Sequence, residues 1–142
     1  MEAEKYLLNK ESIKVKIRLL EKKNRELRDK LYNITANMDA NKVQSTGTQD
    51  NIAELVAQIV DNETDIINMK CEYEVEEIKT IKEIYGLKSG KHIQVLYYRY
   101  IDGMRIEQIA KMLNYEEKYT SRLHREALQE FEKNVMKLHK TT

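Results

Sequence analysis

Proline is absent from all 142 residues, and glycine occurs only four times. A sheet-rich chain must turn every few residues, and Gly and Pro supply the backbone angles those turns demand. Their scarcity, with 35% charged residues and a mean hydropathy of −0.72, is the composition of long helices and coiled coils. The expectation is an all-α fold, either one domain or one small domain plus an elongated element.

Apolar spacing gives the helices their positions. Tyr6, Ile13, Leu20, Leu27 and Ile34 recur every seven residues, and Lys10, Ile17, Asn24, Leu31 and Met38 form a companion row with two polar interruptions. A helix over about Glu4 to Asn37 follows. "MDANKVQSTGTQDN" then lacks periodicity and predicts a loop at about 38–50, with Asp50 capping the next helix. That helix, about Asn51 to Ile84, carries Ile52, Leu55, Val56, Ile59, Val60, Ile66, Ile67, Cys71, Ile78 and Ile81, with a kink or register shift expected at "DNETD". Residues 1–30 hold ten Lys/Arg against six Asp/Glu, whereas residues 50–84 hold three against ten. Opposite charge and similar length predict a coiled-coil-like antiparallel hairpin over residues 1–85.

Residues 86–142 read as a second domain. Ser89 is a cap for a helix over Gly90 to Tyr100, and Gly103 is placed to take a positive φ at its end. Helices over Ile106 to Leu113 and Glu117 to about Leu138 complete a three-helix unit, joined by "LNY", with Asn114 the residue suited to a left-handed turn. At roughly 100° per residue, Thr120, Leu123, Ala127 and Phe131 fall within an arc of roughly 80° on the last helix. Lys118, Ser121, Arg122 and Arg125 occupy an arc of roughly 100° on the opposite side. Ala110 leaves room for the two helices to cross closely. A short helix, a tight turn and a longer helix with a basic outer face are the parts of a helix-turn-helix, whose second helix enters the DNA major groove by its N-terminal half.

The stretch "VLYYRYIDGMRIEQIAKMLNYEEKYTSRLHREALQEF" resembles the fourth region of bacterial housekeeping sigma factors. It is closer still to small sigma-like regulators of phages and prophages in low-GC Gram-positive bacteria, the ArpU-type and RinA-type late-gene activators. Their pattern is similar to Arg99, Tyr100, Gly103, Glu107, Gln108, Ile109, Ala110, Leu113, Tyr115, Arg122, Leu123, His124, Ala127, Leu128 and Phe131. The specific motifs span about residues 95–131, and the two long helices joined by a polar loop extend the likeness to most of the chain. This chain departs from the pattern at Glu116 and Arg105, where the family usually caps helices with Ser or Thr, and at Thr120, where an aliphatic residue is usual. The resemblance implies a transcription regulator that places a recognition helix in the major groove of double-stranded DNA.

The DNA-binding candidates are therefore Glu117, Lys118, Ser121, Arg122 and Arg125. Glu116 is expected to point toward the core and to cap the helix in place of a neutral residue, where the helix dipole favours an anion. Glu117 sits at the edge of the reading face, within reach of a cytosine amino group or simply as a first-turn acid. The resemblance does not imply a complete sigma factor, because promoter melting there uses an aromatic-rich second region and this sequence holds no Trp and one Phe.

Other chemistry finds little support. "GLKSGKH" is one residue short of a phosphate loop, and His92 stands where a Ser or Thr would hold magnesium. His92, His124 and His139 lie on different faces without a Cys partner, so no zinc or other metal site is expected. His124 is expected between helices and Cys71 in the hairpin core. In "YYRY" at 97–100 one or two tyrosines are expected in the core with Arg99 facing out, rather than a stacking platform. No triad or carboxylate pair emerges, so neither enzyme activity nor a cofactor is expected. One cysteine, no secretory leader and no apolar run long enough to span a membrane predict a cytoplasmic protein. Two other functions fit the same elements: a coiled-coil interaction protein without DNA binding, and a small terminase-like DNA-packaging subunit. For the regulator, the hairpin would supply a homodimer interface or a contact to RNA polymerase.

Overall fold

The computed structural model describes residues 1–41 and 46–137. The protein is all-α. Its helices are α1 (Glu2–Leu7), α2 (Glu11–Asn41), α3 (Thr46–Tyr85), α4 (Gly90–Leu96), α5 (Ile106–Leu113) and α6 (Glu117–Phe131). Wide π-type turns prolong α4 over Tyr97–Ile101 and α6 over Glu132–Met136. No strand occurs among the described residues.

Two compact units result, one of residues 11–73 and the other of residues 1–10 together with 74 onward. The division expected at 85 falls instead between residues 73 and 74, and residues 1–10 belong with the later helices. The single helix expected over Glu4 to Asn37 divides at residues 8–10, where the Asn9 amide donates to the Tyr6 carbonyl at 3.2 Å. The reason is tertiary: Ala3 and Leu7, one turn apart, bury fully in the same core as Phe131. Lys10 marks the break, nine-tenths buried with its ammonium 3.8 Å from Glu77.

In the unit of residues 11–73, contacts pair α2 and α3 in reverse order, so the two helices lie antiparallel there. Lys70 reaches Glu21 at 3.1 Å, Asn62 donates to Asn24 at 2.9 Å, and Arg28 pairs with Glu63. Leu27, Leu55 and Ile59 form the buried cluster, with Leu31 and Ile34 against it. Asn24 is the second of the two polar interruptions of the heptad, and it is buried because it has partners: its amide also donates to the Ile59 carbonyl at 3.1 Å. A buried amide with those bonds satisfied penalises any register that breaks them.

Several expectations for this region are corrected. α2 continues to Asn41 and α3 already begins at Thr46, so most of the expected 38–50 loop is helical, and residues 42–45 lie outside the described residues. Ser, Thr and Asn each cost under about 1 kcal/mol in a helix, which its neighbours readily offset. Asp50 lies inside α3 rather than capping it, and α3 is one helix through "DNETD". With the helical phase uninterrupted, Ile67, Cys71 and Ile78 lie roughly 100°, 140° and 120° around the helix from buried Ile66. All three are accordingly exposed, and Cys71 is not a core residue.

The other unit builds two adjoining clusters. Ala3, Leu7, Ile84, Leu87, Leu96, Tyr100, Ala127, Leu128 and Phe131 form the larger, and Val95, Ile109 and Leu123 the centre of the smaller. Burying each large aliphatic or aromatic side chain stabilises by roughly 1.5–3 kcal/mol. Ser89 caps α4, its hydroxyl accepting from the His92 amide at 3.4 Å. The π turn after α4 joins the Asp102 amide to the Tyr97 carbonyl at 3.2 Å and ends at Gly103, whose φ is +69°. Helix α6 packs its buried face against α4 and α5.

Candidate nucleic-acid interface

The turn between α5 and α6 sets the orientation of the face at issue. Asn114 adopts φ 62° and ψ 40°, the left-handed conformation that a short amide tolerates better than other side chains with a Cβ, and its amide donates to the Lys111 carbonyl at 3.3 Å. Tyr115 follows, its amide bonded to the Ala110 carbonyl at 2.9 Å, so two of the last carbonyls of α5 are satisfied. At the other end of α5 the Gln108 side chain accepts from the Arg105 amide at 3.0 Å. That is the backward half of a capping box, made without a neutral residue at the cap.

Glu116 stands at the cap of α6 with φ −71° and ψ 147°, but its side chain is exposed and makes no capping hydrogen bond. The expectation that it turns to the core is corrected: the buried place beside it belongs to Thr120. The Thr120 hydroxyl is fully buried and donates to the Glu116 carbonyl at 2.9 Å, so a polar residue fits an apolar position.

Thr120, Leu123, Ala127, Leu128 and Phe131 are buried on one side of α6, while Glu117, Lys118, Ser121, Arg122 and Arg125 are all exposed. All five sequence candidates thus lie on the outer half of one helix, with Glu117 and Lys118 in its first turn. Lys118, Arg122 and Arg125 also line one shallow open concavity with Glu116 and Tyr119. Among the described residues Lys118 and Arg125 make no ion pair. Arg122 makes one, its Nε 3.6 Å from Glu126 one turn away, and it is well exposed. Such a surface pair contributes about 0–1 kcal/mol, so exchanging it for another anion costs little.

Three neighbours of this face escaped sequence reasoning. The Arg122 guanidinium lies 5.2 Å from the centre of the Tyr119 ring. Tyr115 meets Tyr119 edge to face at 5.2 Å. From α4, the Lys91 ammonium donates to the Tyr119 hydroxyl at 3.0 Å and sits 5.5 Å from that ring and 5.9 Å from Tyr115. The Tyr119 hydrogen bond, and the nearness of both tyrosines, hold the Lys91 ammonium above its ordinary pKa. Helical spacing places residues within one helix, and Lys91 is 28 positions from Tyr119, so only packing brings them together.

Behind the face, His92 joins α4 to α6. Its Nδ1 lies 2.6 Å from Glu130 and its Nε2 3.7 Å from Glu126. Burial pushes the Glu130 carboxyl up, but the His92 hydrogen bond and the Lys88 amide, 2.9 Å away, outweigh it and leave the carboxyl below its usual value. His124 lies between helices, as its place beside the core arc implied, half-buried and stacked on Tyr100. Of the "YYRY" cluster, Tyr100 is buried, Tyr97 and Tyr98 are half-buried, and Arg99 is also half-buried, donating to the Met104 carbonyl at 3.4 Å rather than facing out.

Among the described residues no group of three or more His, Cys, Asp or Glu is placed to hold a metal ion. No helix among them is long and apolar enough to cross a membrane. Comparison of the chain with family models, with curated proteins and with solved structures found no match.

Proposed function

We propose that this chain is a DNA-binding transcription regulator of the phage and prophage late-gene type, with α5, the Asn114 turn and α6 as its helix-turn-helix. The observation that carries the reading is the division of α6 into a buried face and an exposed one bearing Lys118, Ser121, Arg122 and Arg125. A helix fits the major groove, and arginine and lysine are the side chains that read guanine edges and meet phosphates. The resemblance to the fourth region of sigma factors over residues 95–131 supports the same assignment. The reading leaves no enzymatic step to this chain.

Residues 91–142 carry ten basic against seven acidic side chains. So modest an excess gives weak binding by one copy, because affinity for DNA rests largely on neutralised phosphates. A second copy is the partner we assign to residues 11–73, where Tyr32, Val56, Val60 and Ile67 stay exposed despite their apolar surface. A contact to RNA polymerase through the same long helices is the other use of that surface. Two joined copies would read two half-sites, as helix-turn-helix dimers do.

A gel-shift series in increasing salt tests the proposal. Binding to duplex DNA that weakens as salt rises supports a regulator, and no binding at low salt favours a coiled-coil interaction protein. Light scattering separates the regulator, a dimer at most, from the ring expected of a small terminase-like subunit.

A further inference from the structure

Lys91 of α4 comes to the edge of the reading face from outside α6, and its ammonium is held by Tyr119 rather than by a carboxylate. Among the described residues Lys91 has no acidic partner, and its ammonium is exposed. An ammonium has three donors, so two remain after the bond to Tyr119. The Tyr119 hydroxyl accepts from Lys91 and keeps its own O–H to donate. Donors from two helices, α4 and α6, therefore converge at one spot. Arg122, a member of the reading face, stacks within 5.2 Å of the same ring.

We infer that Lys91 and Tyr119 form a seat for a backbone phosphate of DNA, flanking the base-reading face of α6. The inference rests on the assignment of α6 to the major groove and adds the contact that sets its register. A backbone phosphate is the matching ligand for three reasons. The seat offers N–H and O–H donors together with a positive charge, the complement of a phosphate oxygen. It lies beside the helix that enters the groove, where contacts to phosphates fix the register of a protein on the duplex. Its ring also supports Arg122, so a phosphate held by Lys91 and Tyr119 positions the arginine that would meet a base.

Lys91 is exposed, so its role in the fold is small and the two roles separate cleanly. The test uses the full chain with mixed-sequence duplex DNA, measuring log affinity against log salt concentration. Lys91→Gln should bind several-fold more weakly on every sequence and reduce the salt slope by about 1, the value of one lost phosphate contact. Lys91→Arg should keep the slope, and Tyr119→Phe, which removes the hydroxyl but keeps the ring, should weaken binding without changing the slope by a full unit. Wild-type binding whose slope Lys91→Gln leaves unchanged, with the variant folded by circular dichroism, overturns the seat and leaves the α6 assignment standing. Wild-type protein with no salt-dependent binding overturns both.

Discussion

The Tyr100 hydroxyl lies 2.8 Å from Nε2 of His124, and the two rings stack with centroids 5.7 Å apart. Burial, reinforced by Glu4 and opposed by Arg99, pushes the Tyr100 phenol up to about 12, so it keeps its proton beside the imidazole. Burial and then the Arg99 cation hold His124 below its ordinary value of 6.5, with Glu4 acting the other way. The fold thus favours neutral His124. Its contribution is fully present above about pH 6.5 and is lost as pH falls from there through the depressed folded value. Thermal unfolding should show stability dropping on acidification through that window, and His124→Gln, which cannot titrate, should flatten the drop. An equal drop in the variant would place its cause elsewhere.

Asn24→Ala removes both the donor to Ile59 and the acceptor for Asn62. Leaving such groups without partners costs about 1–3 kcal/mol. Hydrogen exchange should quicken along α2 and α3 within residues 11–73, while the α6 amides keep their protection.

Asn114 holds the turn at positive φ, a conformation open to glycine and hostile to β-branched side chains. Asn114→Gly should leave stability within about 0.5 kcal/mol, and Asn114→Val should cost about 1–2 kcal/mol. Because the same turn orients α6, the valine variant should also lose DNA affinity beyond its loss of folded protein, measured by titration at a temperature where both variants remain folded.

Glu117 is exposed in the first turn of α6, where the proposed function gives it a base edge to meet. If its carboxylate accepts from a cytosine amino group, Glu117→Ala should relax preference at one base position by about 1–3 kcal/mol while tightening binding to unrelated DNA. DNA selection with both proteins, compared position by position, reads this directly. An unchanged selected motif assigns Glu117 to the helix dipole alone.

What the sequence disclosed was whatever depends on neighbours in the chain. The all-α class, the positive φ of Gly103 and Asn114, the Ser89 cap and the buried face of α6 all follow from local chemistry or helical phase. What it concealed depends on packing across long separations. The break at residues 8–10 interrupts a sound heptad because Ala3 and Leu7 find a core beside Phe131. Cys71 sits outside because α3 keeps its phase through residues 61–65, where Asn62 and Glu63 face partners on α2 instead of bending the helix. In the candidate site, the five residues on α6 were legible from 100° steps. Lys91 was not, since nothing local ties it to Tyr119.

In the proposed function the outer face of α6 meets DNA. The direct measurement is the salt dependence of duplex binding for wild-type protein and for a Lys118→Ala, Arg122→Ala, Arg125→Ala triple variant, with folding matched by circular dichroism. The account predicts that the variant loses at least tenfold in affinity and that its salt slope falls by about 2–3. A folded variant that binds with wild-type affinity and slope would contradict it.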